Sequence, residues 1–189
     1  MLTRLNVARW ICLLAGISIT IGTNCQANSD IHFAPQNALQ KPVNYREWIY
    51  LGTALTPNDL NDGKANFPEF HNVYMNPKAW RGWKTTGSFA DKTVIVKELL
   101  SVGDHQAISG KGYFQGDFSV IAVAVKDRKR FANEPGNWGY FVFDKSSDAN
   151  TTTQPKETKS CATCHVKHAA TDLIFTQYYP VLRAAAPIK

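Results

Sequence analysis

A chain of 189 residues, 44% hydrophobic and 12% aromatic, has the length of one domain and enough apolar surface to close a core, which excludes a wholly disordered protein. Its formal charge of +6 is mild. The basic residues are scattered over 78–84, 126–130 and 156–167 rather than gathered into an arm, so a solvated surface accounts for them better than a nucleic-acid interface.

The first 27 residues read as a cleaved export signal. Arg4 and Arg9 flank a short basic start, residues 10–21 are apolar, and Cys25-Gln26-Ala27 offers a small residue for cleavage before Asn28. An uncleaved anchor is the alternative, but the apolar run falls well short of the roughly 20 residues a spanning helix needs. A lipid on Cys25 is a second alternative, against which stands Gly22-Thr23-Asn24, without the usual apolar residues ahead of such a site. Cleavage after Ala27 removes Arg4 and Arg9, leaving 19 Lys+Arg (21 less two) against 15 Asp+Glu, a charge of +4. Residues 28–189 are then expected as one periplasmic domain without membrane attachment.

Within that domain, residues 48–55, 70–75, 93–102, 113–125 and 138–143 are rich in aromatic and β-branched side chains and bounded by Pro, Gly, Asn or Asp, which predicts five antiparallel strands. Residues 77–85 and 127–134 predict short helices, the first with Pro77 in its first turn and Gly87 just past its end. Residues 146–160 are polar and predict an exposed loop. From Thr171, the apolar positions Ile174, Tyr178, Val181 and Leu182 recur at helical spacing, with Pro180 bending or breaking that helix. The expected fold class is α+β, mainly β: an antiparallel sheet, a few short helices and a helical C-terminal segment. An all-helical bundle is disfavoured.

Cys12 and Cys25 leave with the signal, so Cys161 and Cys164 are the thiols of the mature chain in an oxidising compartment. They sit in Cys161-Ala162-Thr163-Cys164-His165, the attachment signature of c-type haem. Two cysteines at this spacing reach the two vinyl groups of one porphyrin, and the histidine that follows sits under the iron. A zinc site would take Cys161, Cys164 and His168 but lacks a fourth ligand. A thioredoxin-like pair belongs after the first strand of a βαβ unit, and a plain disulfide leaves His165 unused. The candidate sixth ligands are Met75, His32, His71, His105 and His168. Met75 reads as packing at a strand end and His168 as a solvent-facing helix residue, so the iron is expected to be five-coordinate with an open position. Strand alternation puts Thr93, Ile95, Lys97 and Leu99 on one face. By residue type alone, Lys97 points to water and pairs with a carboxylate.

Several stretches carry a resemblance: Tyr45-Arg46-Glu47-Trp48, Leu60-Asn61-Asp62-Gly63-Lys64, Thr93-Val94-Ile95-Val96-Lys97-Glu98-Leu99, the run from Arg130 to Trp138, and Tyr179-Pro180-Val181-Leu182-Arg183. Together they resemble the cytochrome P-460 family over nearly the whole mature chain. The resemblance implies a mostly antiparallel fold, a homodimer and one haem c per chain. In active members a lysine is bonded to a porphyrin meso carbon, and hydroxylamine is oxidised to nitrous oxide or nitric oxide, with a soluble c-type cytochrome as electron acceptor. The matching lysine is Lys97. A sister group, the cytochromes c-prime-beta, shares the fold without the cross-link and mainly binds nitric oxide and similar gases. Active members also place a catalytic carboxylate just ahead of the haem motif; here Glu157 is the acidic residue in the ten positions before Cys161. Lys156 competes for the aligned position, and a solvated loop residue is the plainer reading of Glu157. Glu134, before Pro135, reads as a turn or cap residue.

Overall fold

The computed structural model describes residues 31–187; the expected export signal lies outside them. In chain order the elements are β1 (Leu39–Gln40), β2 (Ile49–Leu55), β3 (Phe70–Met75), α1 (Pro77–Thr86), β4 (Val94–Val102), β5 (Gln106–Ala107), β6 (Gly110–Lys111), β7 (Gln115–Lys126), β8 (Trp138–Asp144), β9 (Thr152–Thr153), α2 (Ala162–His168) and α3 (Pro180–Ala185). The fold is mainly β. Its centre is one antiparallel sheet in the order β2-β3-β4-β7-β8.

The β-branched runs of β4 and β7 give this sheet its middle, because such side chains pack well on a pleated surface. Ile95 pairs with Ala124 and Val96 with Val123, so successive residues alternate between faces. On one face Leu51, Val73, Met75, Ile95, Trp138 and Leu182 pack with Trp83 of α1. On the other, Val94, Val96, Val123 and Phe141 pack against Leu39, Tyr45 and Trp48 from the N-terminal segment. Hydrogen bonds tie the helices to this frame. Trp83 Nε1 donates to Leu182 O at 2.8 Å, holding α3 on α1. Buried Asn76 accepts the Val94 N–H at 3.0 Å, fixing the start of α1 to the start of β4. α1 begins with Pro77 in its first turn and ends at Gly87 in the left-handed region, φ 66°.

Three local expectations differ from the fold. Residues 127–134 form successive turns rather than a helix. The Asp127 carboxylate accepts the N–H groups of Lys129 and Arg130, at 3.1 and 3.0 Å, and also pairs with Lys92. One turn is thereby capped, and Pro135 prevents propagation. The loop at 146–160 contains β9, which pairs with β1 through Leu39↔Thr153 and Gln40↔Thr152. The helix expected from Thr171 is absent ahead of Pro180: residues 171–174 form a reverse turn, Thr176–Tyr178 a single 3-10 turn, and Pro180 opens α3 at its first position instead of breaking a helix. Among the described residues no helix is long and apolar enough to cross a membrane.

Candidate functional site

α2 is short, and its position is set by its first residue and by the chain that follows it. Ala162 is buried, Cys161 packs half-buried against the α1 side of the core, and Cys164 is exposed. No disulfide joins the two cysteines. His165 lies half-buried between two rings, Tyr140 at 4.7 Å and Phe175 at 4.8 Å between centroids. Its Nδ1 meets Leu173 O at 2.7 Å. The carbonyl can only accept, so Nδ1 carries the proton and Nε2 keeps its lone pair for a metal. Burial, helped by the positive charge of Lys97, holds the imidazole below its ordinary pKa and therefore neutral.

The sheet brings Lys97 to this segment. The residue stands on the inner face of β4, opposite Val73 on β3 and Ala122 on β7. Its Nζ lies 4.4 Å from the centroid of the Phe67 ring. Burial lowers its pKa, while Cys161, Glu69 and Cys164, in that order, act against the shift. The amine is thus within electrostatic reach of both thiols, and the expectation of a water-facing lysine paired to a carboxylate gives way to a half-buried one over an aromatic ring.

Around Lys97 the inner face is a half-buried shelf of Ala122, Val142 and His71, continuous through Tyr140 with the His165 ring. Three polar atoms here are buried without a hydrogen-bond partner: His71 Nε2, Glu69 Oε2 and the Tyr140 hydroxyl. Such orphans are rare in folded proteins and call for a ligand or a functional role. Burial first, then Lys97, holds His71 down to about 4. The set fits a haem: two thiols at the right spacing, an imidazole with Nε2 free, a shelf of small and apolar side chains, and polar atoms waiting at its rim. By contrast, no three His, Cys, Asp or Glu side chains among the described residues gather as ligands for a bare metal ion.

The remaining sequence candidates lie elsewhere. Met75 is wholly buried in the core, and His32, His105 and His168 are exposed. The side chain of Glu157 is 74% exposed and pairs with Lys159 at 3.0 Å. It lines a shallow cleft with Arg130, Glu134 and Lys156, and is not among the groups whose charge acts on Lys97. Sequence reasoning missed Glu69. The only signal it offers is alternation, since Glu69 and His71 share the parity of Val73 and Met75 leading into β3. It also missed Asp172, whose carboxylate binds buried Lys126 beside the Leu173 carbonyl.

No curated protein sequence matches this chain significantly. A family model described as Cytochrome P460 matches residues 42–176, a span that begins ahead of β2 and takes in Lys97, both cysteines, His165 and Leu173. With the antiparallel sheet, the Cys-x-x-Cys-His helix and the free Nε2 of His165 all inside that span, the chain is a c-type haem protein and belongs to the cytochrome P460 family.

Proposed function

We propose that this protein is a periplasmic oxidoreductase that oxidises hydroxylamine at a five-coordinate haem c. One observation carries the reading: the amine of Lys97 is driven towards its neutral form by burial, beside Cys161 and Cys164. A neutral amine at contact distance is the nucleophile that a bond to the porphyrin edge requires. That bond replaces a meso C–H, so its formation also needs a two-electron oxidant such as a peroxide. Cys161 and Cys164 hold the haem as thioethers, and His165 Nε2 ligates the iron. When bound, the haem supplies the redox chemistry.

The chain's own residues then handle protons and access. Two hydroxylamines become one nitrous oxide and one water with the release of four protons and four electrons; release at nitric oxide instead takes three protons and three electrons from one hydroxylamine. A soluble c-type cytochrome takes the electrons. Proton acceptance falls to a carboxylate near the haem edge. Glu69, with its unpartnered Oε2 and its charge felt at Lys97, is the better placed; Glu157 is the alternative from the loop ahead of the motif. The protein is exported by a leader ending at Ala27 and works as a homodimer.

A second reading has its own support. The stack of Lys97 on Phe67 satisfies the amine without any bond to haem, which favours a cytochrome that binds nitric oxide or similar gases. Absorption of the ferrous protein separates the two. A Soret band strongly shifted to the red is expected for the cross-linked enzyme; an ordinary c-type spectrum overturns the cross-link, a five-coordinate form then marking the gas binder and a six-coordinate low-spin form a simple electron carrier. In either case acid-acetone extraction leaves the colour on the polypeptide; a colourless pellet overturns covalent attachment.

A further inference from the structure

Leu173, whose carbonyl meets His165, sits in an unusual turn. Asp172 and Leu173 are consecutive non-glycine residues in the left-handed region, with φ of 46° and 61°. Left-handed backbone is disfavoured for a residue with a branched side chain, and a pair in succession persists only where the surroundings impose it. Thr171 and Ile174 close the turn by two backbone hydrogen bonds of 2.9 and 3.3 Å. What imposes the conformation is Lys126, the last residue of β7. Its Nζ donates to Asp172 Oδ2 at 2.7 Å, to Asp172 Oδ1 at 2.9 Å and to Gly136 O at 2.9 Å. The lysine side chain is only 8% exposed. Trp138, its partner across β8, donates Nε1 to Asp172 Oδ1 at 3.4 Å. Gly136 leaves the room this needs, for a Cβ there would stand 3.2 Å from both Asp172 Oδ1 and Leu173 Cδ1.

A buried ion pair is weak evidence of stabilisation, because desolvation offsets much of the attraction. If the turn served only to reverse the chain, glycine would adopt the same φ without strain. The arrangement does something glycine cannot: it anchors one carbonyl to the rigid end of a central strand. We propose that Lys126 and Asp172 are positioning residues that fix the Leu173 carbonyl on the Nδ1–H of His165, and so hold the proximal ligand electron-rich and the haem reduction potential low. The partner of a metal-bound imidazole sets its tautomer, orientation and basicity. A firmly held acceptor pulls density from the N–H towards Nε2, which favours the ferric iron over the ferrous.

The inference rests on His165 as the iron ligand, and its test is made on the haem-loaded protein. The reduction potential and the ferrous iron–histidine stretching band in resonance Raman are measured for Asp172→Asn, Lys126→Met, Lys126→Arg and the exposed-lysine control Lys129→Ala. Asp172→Asn and Lys126→Met are expected to raise the potential and move the stretching band to lower frequency. Lys126→Arg, which keeps the pair, and Lys129→Ala should stay at the wild-type values. Unchanged potential and band in Asp172→Asn overturn the proposal, even when thermal stability drops, because the pair is then only structural. Failure of both disrupting variants to take up haem overturns it too, making the pair a folding element. Failure of the underlying reading looks different: an iron–histidine band that survives His165→Met removes His165 from the iron while leaving the turn as described.

Discussion

At Lys97 a single side chain separates two kinds of protein. Its neighbours across the sheet are Val73 and Ala122, and its amine has a ring rather than water for company. Lys97→Leu fits the same face, so folding and thioether attachment should survive. The ferrous spectrum should become that of an ordinary c-type haem, with hydroxylamine oxidation lost and nitric oxide binding kept. Peptide mapping checks the bond directly, since a free, cleavable Lys97 in haem-loaded protein excludes it. Glu69→Gln should lower turnover by about a hundredfold or more with the spectrum intact, in line with loss of a general base, whereas Glu157→Ala should leave the rate near wild type; the reverse result assigns the base to the loop. His71 makes a pH prediction. Its folded pKa is about 4 against 6.5 for the free side chain, so the unfolded chain binds the extra proton between those values. Stability therefore falls as pH drops from about 6.5 to 4, by less than about 3.4 kcal/mol at 1.36 kcal/mol per pH unit, since partial solvent access weakens the effect. Urea titrations across that range should show the slope, and His71→Phe should flatten it. Glu69 was not legible in the sequence, and His71 was legible only as one of five candidate iron ligands, because an unpartnered buried atom is a property of packing. The grouping of Cys161, Cys164 and His165 was legible, because three residues within five positions stay together whatever the packing around them.

The elements divide along the same line. The five strands of the sheet stand close to where alternation and β-branching place them, the longest discrepancy being two residues at the start of β7. What failed was the helix at 127–134, where the composition suits a helix but the Asp127 carboxylate captures the N–H groups of Lys129 and Arg130. Side-chain capture of this sort has no periodic signature. The turn has a purpose in packing, for it lowers Phe131 onto Gly139 of β8, where any Cβ would overlap the ring. Gly139→Ala should accordingly destabilise the protein by about 1–3 kcal/mol, as overpacking does, measured by thermal or urea unfolding, with Phe131→Leu in the same chain restoring part of the loss. The pairing of β1 with β9 was equally invisible: two residues on each side carry too little pattern to announce a partner more than a hundred positions away.

Taken as a whole, the molecule is a wall with two different coverings. The outer covering of Leu39, Tyr45 and Trp48 is structural, while the inner one divides between a packed half under α1 and α3 and the shelf at Lys97. Strand order in the wall follows chain order, β2-β3-β4-β7-β8, so each strand after the first pairs with one that precedes it in the chain. Neighbouring hairpins of this kind close small loops and form early. The thiols come later in the chain than every strand of the wall. The strand residues that flank Lys97 across the sheet, Val73 and Ala122, therefore both precede Cys161 and Cys164 in the chain, so the surface beside that lysine is built from sequence that comes before the short helix bearing the two cysteines.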